Sequence, residues 1–249
     1  MTVPATDGPV DPFARLRAAT RARVALGRAG DALPTAELLP LRAAHAAARD
    51  AVHAPLDVDA VVDELGGLGL EVHTATSAAH DRAEYLQRPD LGRRLAGADD
   101  LAPGEYDVAF VVADGLSPLA VHRHAAPLLR EVLARLDGWR IAPVVVATQA
   151  RVALGDEIGA ALGAKAVVVL VGERPGMSST DSLGAYLTYD PRRGRRDSER
   201  NCLSNIRPPH GTGYEAAATT LAMLLTESRR LRLSGVRLKV DPALEARET

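Results

Sequence analysis

Three short stretches of this chain are almost wholly apolar and rich in β-branched residues: Asp107 to Ala113, Ile141 to Ala147 and Ala166 to Val171. They do not alternate with polar residues, so strands built from them must be buried on both faces, as in a parallel sheet. Between the first two, Ser117-Pro118 is a helix start, with a serine cap and proline at the first helical position. It leads into Val121, Leu128, Leu129, Val132, Leu133 and Leu136. A second helix, carrying Leu154, Ile158 and Leu162, separates the next pair. Consecutive βαβ units with right-handed crossovers predict an α/β fold, a Rossmann-like doubly wound parallel sheet. A fourth strand is expected from Leu183 to Tyr189 and a last helix from Tyr214 to about Leu231.

Ahead of the sheet the periodicity is helical. Phe13 and Leu16, then Leu38, Leu41, His45 and Ala48, then Val58, Val61, Val62 and Leu65 recur at helical spacing, and Gly66-Gly67 closes the run. The expected division is a flexible tail at residues 1–12, rich in Pro, Gly, Asp and Thr, a small helical N-terminal domain at 13–67, and the Rossmann-like domain at 68–249.

Composition removes several functions. A formal net charge of -2 gives no global field toward nucleic acid or an anionic membrane. Aromatic residues are only 3% of the chain, too few for stacking platforms that bind single strands or sugars. The single cysteine, Cys202, has no disulfide partner, which fits a reducing, cytoplasmic compartment. The start of the chain lacks a signal-peptide pattern, and no apolar run reaches the roughly 18 residues of a membrane span. A dinucleotide-dependent oxidoreductase would need a G-x-G-x-x-G turn after the first strand. Gly67-Leu68-Gly69 lacks its third glycine and precedes the clear strands.

In open α/β sheets ligands lie beyond the carboxyl ends of the strands. The segments there read Asp114-Gly115-Leu116-Ser117, Thr148-Gln149-Ala150-Arg151-Val152 and Gly172-Glu173-Arg174-Pro175-Gly176. Glycines, carboxylates and arginine should therefore converge on one edge.

Five motifs, in order, resemble the small (light) chain of ethanolamine ammonia-lyase: VALGRAG (Val24 to Gly30), YLQRPDLGRRL (Tyr85 to Leu95), DGLS (Asp114 to Ser117), GERPG (Gly172 to Gly176) and CLSNI (Cys202 to Ile206). The resemblance implies one subunit of a carbon–nitrogen lyase that is inactive alone, paired with a large barrel subunit that carries the radical chemistry. Adenosylcobalamin would be shared between the two chains, and ethanolamine converted to acetaldehyde and ammonia. It further implies cobalamin contacts at Val152, Glu173 and Cys202, no catalytic residue and no metal ligand on this chain. None of the seven histidines lies in a D-x-H-x-x-G setting, so the cofactor's own dimethylbenzimidazole is expected to stay on cobalt, base-on. Neither nucleic acid nor membrane is an expected partner. Location free in the cytoplasm and within a bacterial microcompartment both stay open.

Taken without the resemblance, these residues have plainer readings. Val152 would be core packing, Glu173 a cap or surface carboxylate beside Arg174, and Cys202 a small buried hydrophobe. His122 and His124, two apart, point to different helix faces and make poor joint ligands. Arg192 to Arg200 reads as a solvated loop, its charge broken by Asp197 and Glu199. For Arg93 and Arg94, after a Pro89-Asp90 helix start, packing, interface and ligand roles stand open. The alternative to a lyase subunit is a non-catalytic Rossmann-like scaffold or a nucleotide-cofactor binding protein.

Overall fold

The computed structural model describes residues 11–20, 22–99 and 101–239, so most of the expected tail, residues 1–10, lies outside the described residues. Among these residues seven α-helices and seven strands follow in the order α1 (Ala14–Ala19), α2 (Thr35–His53), α3 (Val58–Gly66), β1 (Val72–Ser77), α4 (Arg82–Gln87), β2 (Leu95–Ala98), β3 (Val108–Ala113), α5 (Pro118–Leu133), β4 (Val144–Thr148), α6 (Leu154–Ala161), β5 (Ala166–Gly172), β6 (Leu183–Tyr189), β7 (Arg200–Ile206) and α7 (Tyr214–Leu231). The strands form one sheet in the order β2-β1-β4-β3-β5-β6-β7.

The four central strands, β1, β4, β3 and β5, run parallel, and every residue of β3 and β5 is buried. Alternation sorts their side chains onto two faces. Val108, Phe110, Val112, Val168 and Leu170 join α3, α5 and α7 in one core, while Ala109, Val111, Val145, Val167 and Val169 pack with Leu154, Ile158 and Leu162 in the other. Each fully buried valine or leucine contributes about 1.5–3 kcal/mol over its exposed state. The two cores explain why the strand segments are apolar throughout. The α3 helix, expected within the N-terminal helical segment, gives Val61 and Leu65 to the first of these cores.

The sheet is mixed, which corrects the expectation of a parallel one: β2, β6 and β7 run antiparallel to their neighbours. For β6 and β7 the cause is connection length. Parallel strands need a crossover of a dozen or more residues, generally with a helix. Only residues 173–182 link β5 to β6, and the Arg192 to Arg200 region closes β6 onto β7.

Ser117 caps α5 as expected, its Oγ accepting from Ala120 N at 3.2 Å. The start expected at Pro89-Asp90 produces only a 3-10 turn, Leu91–Arg93. Among the described residues no helix is long and apolar enough to cross a membrane.

Candidate functional site

Helix α5 leaves β3 on one face of the sheet and α6 leaves β4 on the other, so the connections above these strands part and expose the strand ends. Asp114, 2% exposed, joins two of them by accepting from Gln149 N and Ala150 N, both at 2.9 Å. Its third donor is Arg82 Nη1 at 3.1 Å, which also donates to Gly115 O at 2.9 Å. Burial pushes the Asp114 carboxyl up, against the opposing pull of these donors.

The DGLS and GERPG motifs meet backbone to backbone. Leu116 N donates to Gly172 O at 2.8 Å. A Cβ on Gly172 would stand 2.1 Å from Ser117 O, and one on Gly115, whose φ is +56°, 2.2 Å from Gly172 O. Only glycine permits that approach at either position.

The Tyr85 to Leu95 motif builds a seat for Arg151. Tyr85 is fully buried and its hydroxyl donates to Ala150 O at 3.1 Å. The guanidinium carbons of Arg82 and Arg151 lie 4.9 and 4.5 Å from its ring centroid. Gly92 leaves room for the arrangement, because a Cβ there would meet the Tyr85 ring at 2.8 Å and Arg151 Cγ at 3.0 Å. Arg151 N donates to Gly92 O at 2.8 Å.

Val152 and Cys202 line one cavity of about 370 Å³, together with Arg93, Arg151, Tyr186 and Arg200. Cys202 stands opposite Tyr186 across the β6–β7 pair, and the two side chains line the same cavity. The thiol is exposed, but desolvation by the surrounding strand face, with the nearby Glu173 carboxylate, pushes it up.

Glu173 does not line that cavity. It is placed one step along the same strip, against Gly184, where a Cβ would come within 3.0 Å of Glu173 Oε1. Ser182 Oγ and Ser204 Oγ both donate to its carboxylate, and Asn205 N donates to Oε2 at 3.1 Å. Glu173 therefore fastens the β5–β6 connection to the CLSNI strand. It is neither a helix cap nor a partner of Arg174.

The remaining candidates divide. Arg93 approaches Asp197 at 3.9 Å and Arg94 approaches Asp90 at 3.8 Å, both half-exposed. His122 Nε2 accepts from Asp57 N at 3.2 Å, whereas His124 Nδ1 bonds the Tyr214 hydroxyl at 2.7 Å, so the two histidines do face apart. Arg200, expected in a solvated loop, is buried. Reading the arginine-rich segment as a unit hid it, and the signal available was its place at the head of the alternating stretch Arg200 to Ile206. Tyr186 was also missed, although the alternation in Leu183 to Tyr189 sets it on the face opposite Leu183, Ala185 and Leu187. Among the described residues no three His, Cys, Asp or Glu side chains cluster as a metal site.

The family model for the ethanolamine ammonia-lyase light chain (EutC) matches residues 10–239. A Ralstonia nicotianae protein named ethanolamine ammonia-lyase small subunit is 53% identical over 249 residues, covering 95% of this chain and 92% of its own length. Proteins of the same name from Azotobacter vinelandii and Rhodococcus erythropolis are 53% and 49% identical, over 98% and 92% of this chain and 92% and 90% of their own lengths.

Proposed function

The chain belongs to the ethanolamine ammonia-lyase light-chain family, and from that premise we propose that it covers one side of adenosylcobalamin where it meets a large catalytic subunit. The complex then converts ethanolamine to acetaldehyde and ammonia, and the small chain alone is inactive. When bound, adenosylcobalamin supplies the radical that starts the reaction, by homolysis of its cobalt–carbon bond. In the same reading dimethylbenzimidazole stays on cobalt, the work is cytoplasmic, whether free or inside a microcompartment, and the fold is Rossmann-like, with its ligand at the strand ends.

One observation carries the proposal: Val152 and Cys202 line one cavity with Tyr186, and Glu173 Oε1 and the Tyr186 ring edge each come within 3.0 Å of the place a Cβ on Gly184 would take. A corrin is a broad apolar ring fringed by amide groups, and it needs apolar contact area together with fixed polar groups. Val152 and the Cys202 sulfur offer the contact area. Glu173 has about four lone-pair positions and three internal donors, which leaves one to accept from an amide N–H. The residues fit the group, and their role is to seat it and keep water from its edge.

The test is reconstitution with the large subunit. Ammonia release from ethanolamine should require both chains and adenosylcobalamin, and Val152→Asp should weaken corrinoid binding by the complex. Full activity of the large subunit alone would overturn the proposal.

A further inference from the structure

Around the cavity that holds Val152 and Cys202, the charged groups pair off with one exception. Arg200 is bound to Asp156, and Arg93 faces Asp197. Nearby, Arg82 is bound to Asp114. Arg151 has no carboxylate partner among the described residues, and its Nε is buried without a hydrogen bond. It is nevertheless held in place, stacked on the Tyr85 ring and confined by Gly92. It also borders a second cavity of about 530 Å³ beside α2, formed with His45, Arg49, Leu116 and Arg174, so the residue lines both cavities.

A partly buried cation without a counter-ion is costly, and the cost falls when a ligand brings the anion. Arginine's planar fork suits an oxyanion with two equivalent oxygens. Cobalamin carries one group of that kind, the phosphodiester joining its corrin to the dimethylbenzimidazole nucleotide. We infer that Arg151 is the cobalamin phosphodiester contact of this subunit, orienting the nucleotide arm beside the corrin edge seated by Val152 and Cys202. The inference rests on the cobalamin reading above and adds a residue and a ligand atom group to it.

The test compares adenosylcobalamin with adenosylcobinamide, which lacks the phosphodiester and nucleotide, by equilibrium binding to the complex of small and large subunits. Arg151→Gln is expected to weaken adenosylcobalamin binding about ten- to a hundredfold, the loss of a charge-assisted contact, while leaving adenosylcobinamide binding unchanged. Unchanged cobinamide binding also reports a folded site. Arg151→Lys should recover part of the loss. Equal weakening of both corrinoids, or of neither, overturns the assignment. So does weaker association of the two subunits without corrinoid, which would give Arg151 a carboxylate on the partner. A wild-type complex that binds neither corrinoid fails differently, by removing the cobalamin reading itself.

Discussion

Arg200 and Asp156 form a two-pronged ion pair, Nη1 to Oδ1 at 2.6 Å and Nη2 to Oδ2 at 2.7 Å, with both side chains only 2% exposed. The pair ties β7 to α6 two residues from Cys202, and Arg200 Nη1 also donates to Thr188 Oγ1 at 2.7 Å.

Removing one member strands the other in the interior. Arg200→Ala or Asp156→Ala should lower unfolding free energy by about 3–5 kcal/mol in urea titrations, and a joint replacement by Leu and Met should recover most of it. A loss under about 1 kcal/mol for either single variant would show that water reaches the pair.

The glycine contact between the DGLS and GERPG motifs predicts an unequal pair of substitutions. Gly172→Ala drives a methyl into two carbonyl oxygens and should cost about 3 kcal/mol or more. Gly194→Ala has φ +93° but open space around it, so backbone strain of about 1–2 kcal/mol is all that is expected. Thermal denaturation of the two variants side by side decides.

His124 makes stability depend on pH. Burial holds its imidazole below the ordinary value, against the pull of Asp181, while Arg123 adds to the lowering. Arg207 and Tyr214 face the same pocket. Above about pH 6.5 the imidazole is neutral in both states and its contribution is complete. As pH falls through that value the unfolded chain takes up the proton first, so stability declines until the folded pKa is passed. The urea midpoint should drop between pH 7.5 and 5.5, and His124→Gln should flatten that part of the profile. A parallel profile for the variant would assign the slope to other groups.

At Cys202, a raised thiol pKa means little thiolate at neutral pH despite exposure. Alkylation by iodoacetamide at pH 7.5 should be slower than for free cysteine, measured by mass spectrometry. In the two-subunit complex adenosylcobalamin should slow it further. Glu173→Gln, which keeps the side chain's shape but removes the charge, should quicken alkylation and weaken adenosylcobalamin binding about tenfold.

How much of this was legible in the sequence follows from what each element is buried against. Strands β3 and β5 could be read because both of their faces meet helices, and the Leu183 to Tyr189 strand was placed to the residue. Strands β1 and β2 escaped: His73, Thr74 and Thr76 make β1 half polar, and Leu95 to Ala98 is an exposed edge of four residues. In β7, Arg200, Asn201 and Ser204 disguise a strand at the edge of the sheet. Strand direction at the sheet's far side needed the loop length from Glu173 to Ser182, too short for a helical return. At the site, the convergence of Asp114 and Arg151 followed from the strand ends, whereas Glu173's bonds to Ser182, Ser204 and Asn205 join positions that no local pattern connects.

Those three bonds have a thermodynamic consequence. A free glutamate side chain gives up roughly 1.5–2 kcal/mol of rotamer entropy when immobilised. Because Ser182, Ser204 and Asn205 already hold Glu173, that loss belongs to folding, and a ligand bound there would meet a pre-organised carboxylate.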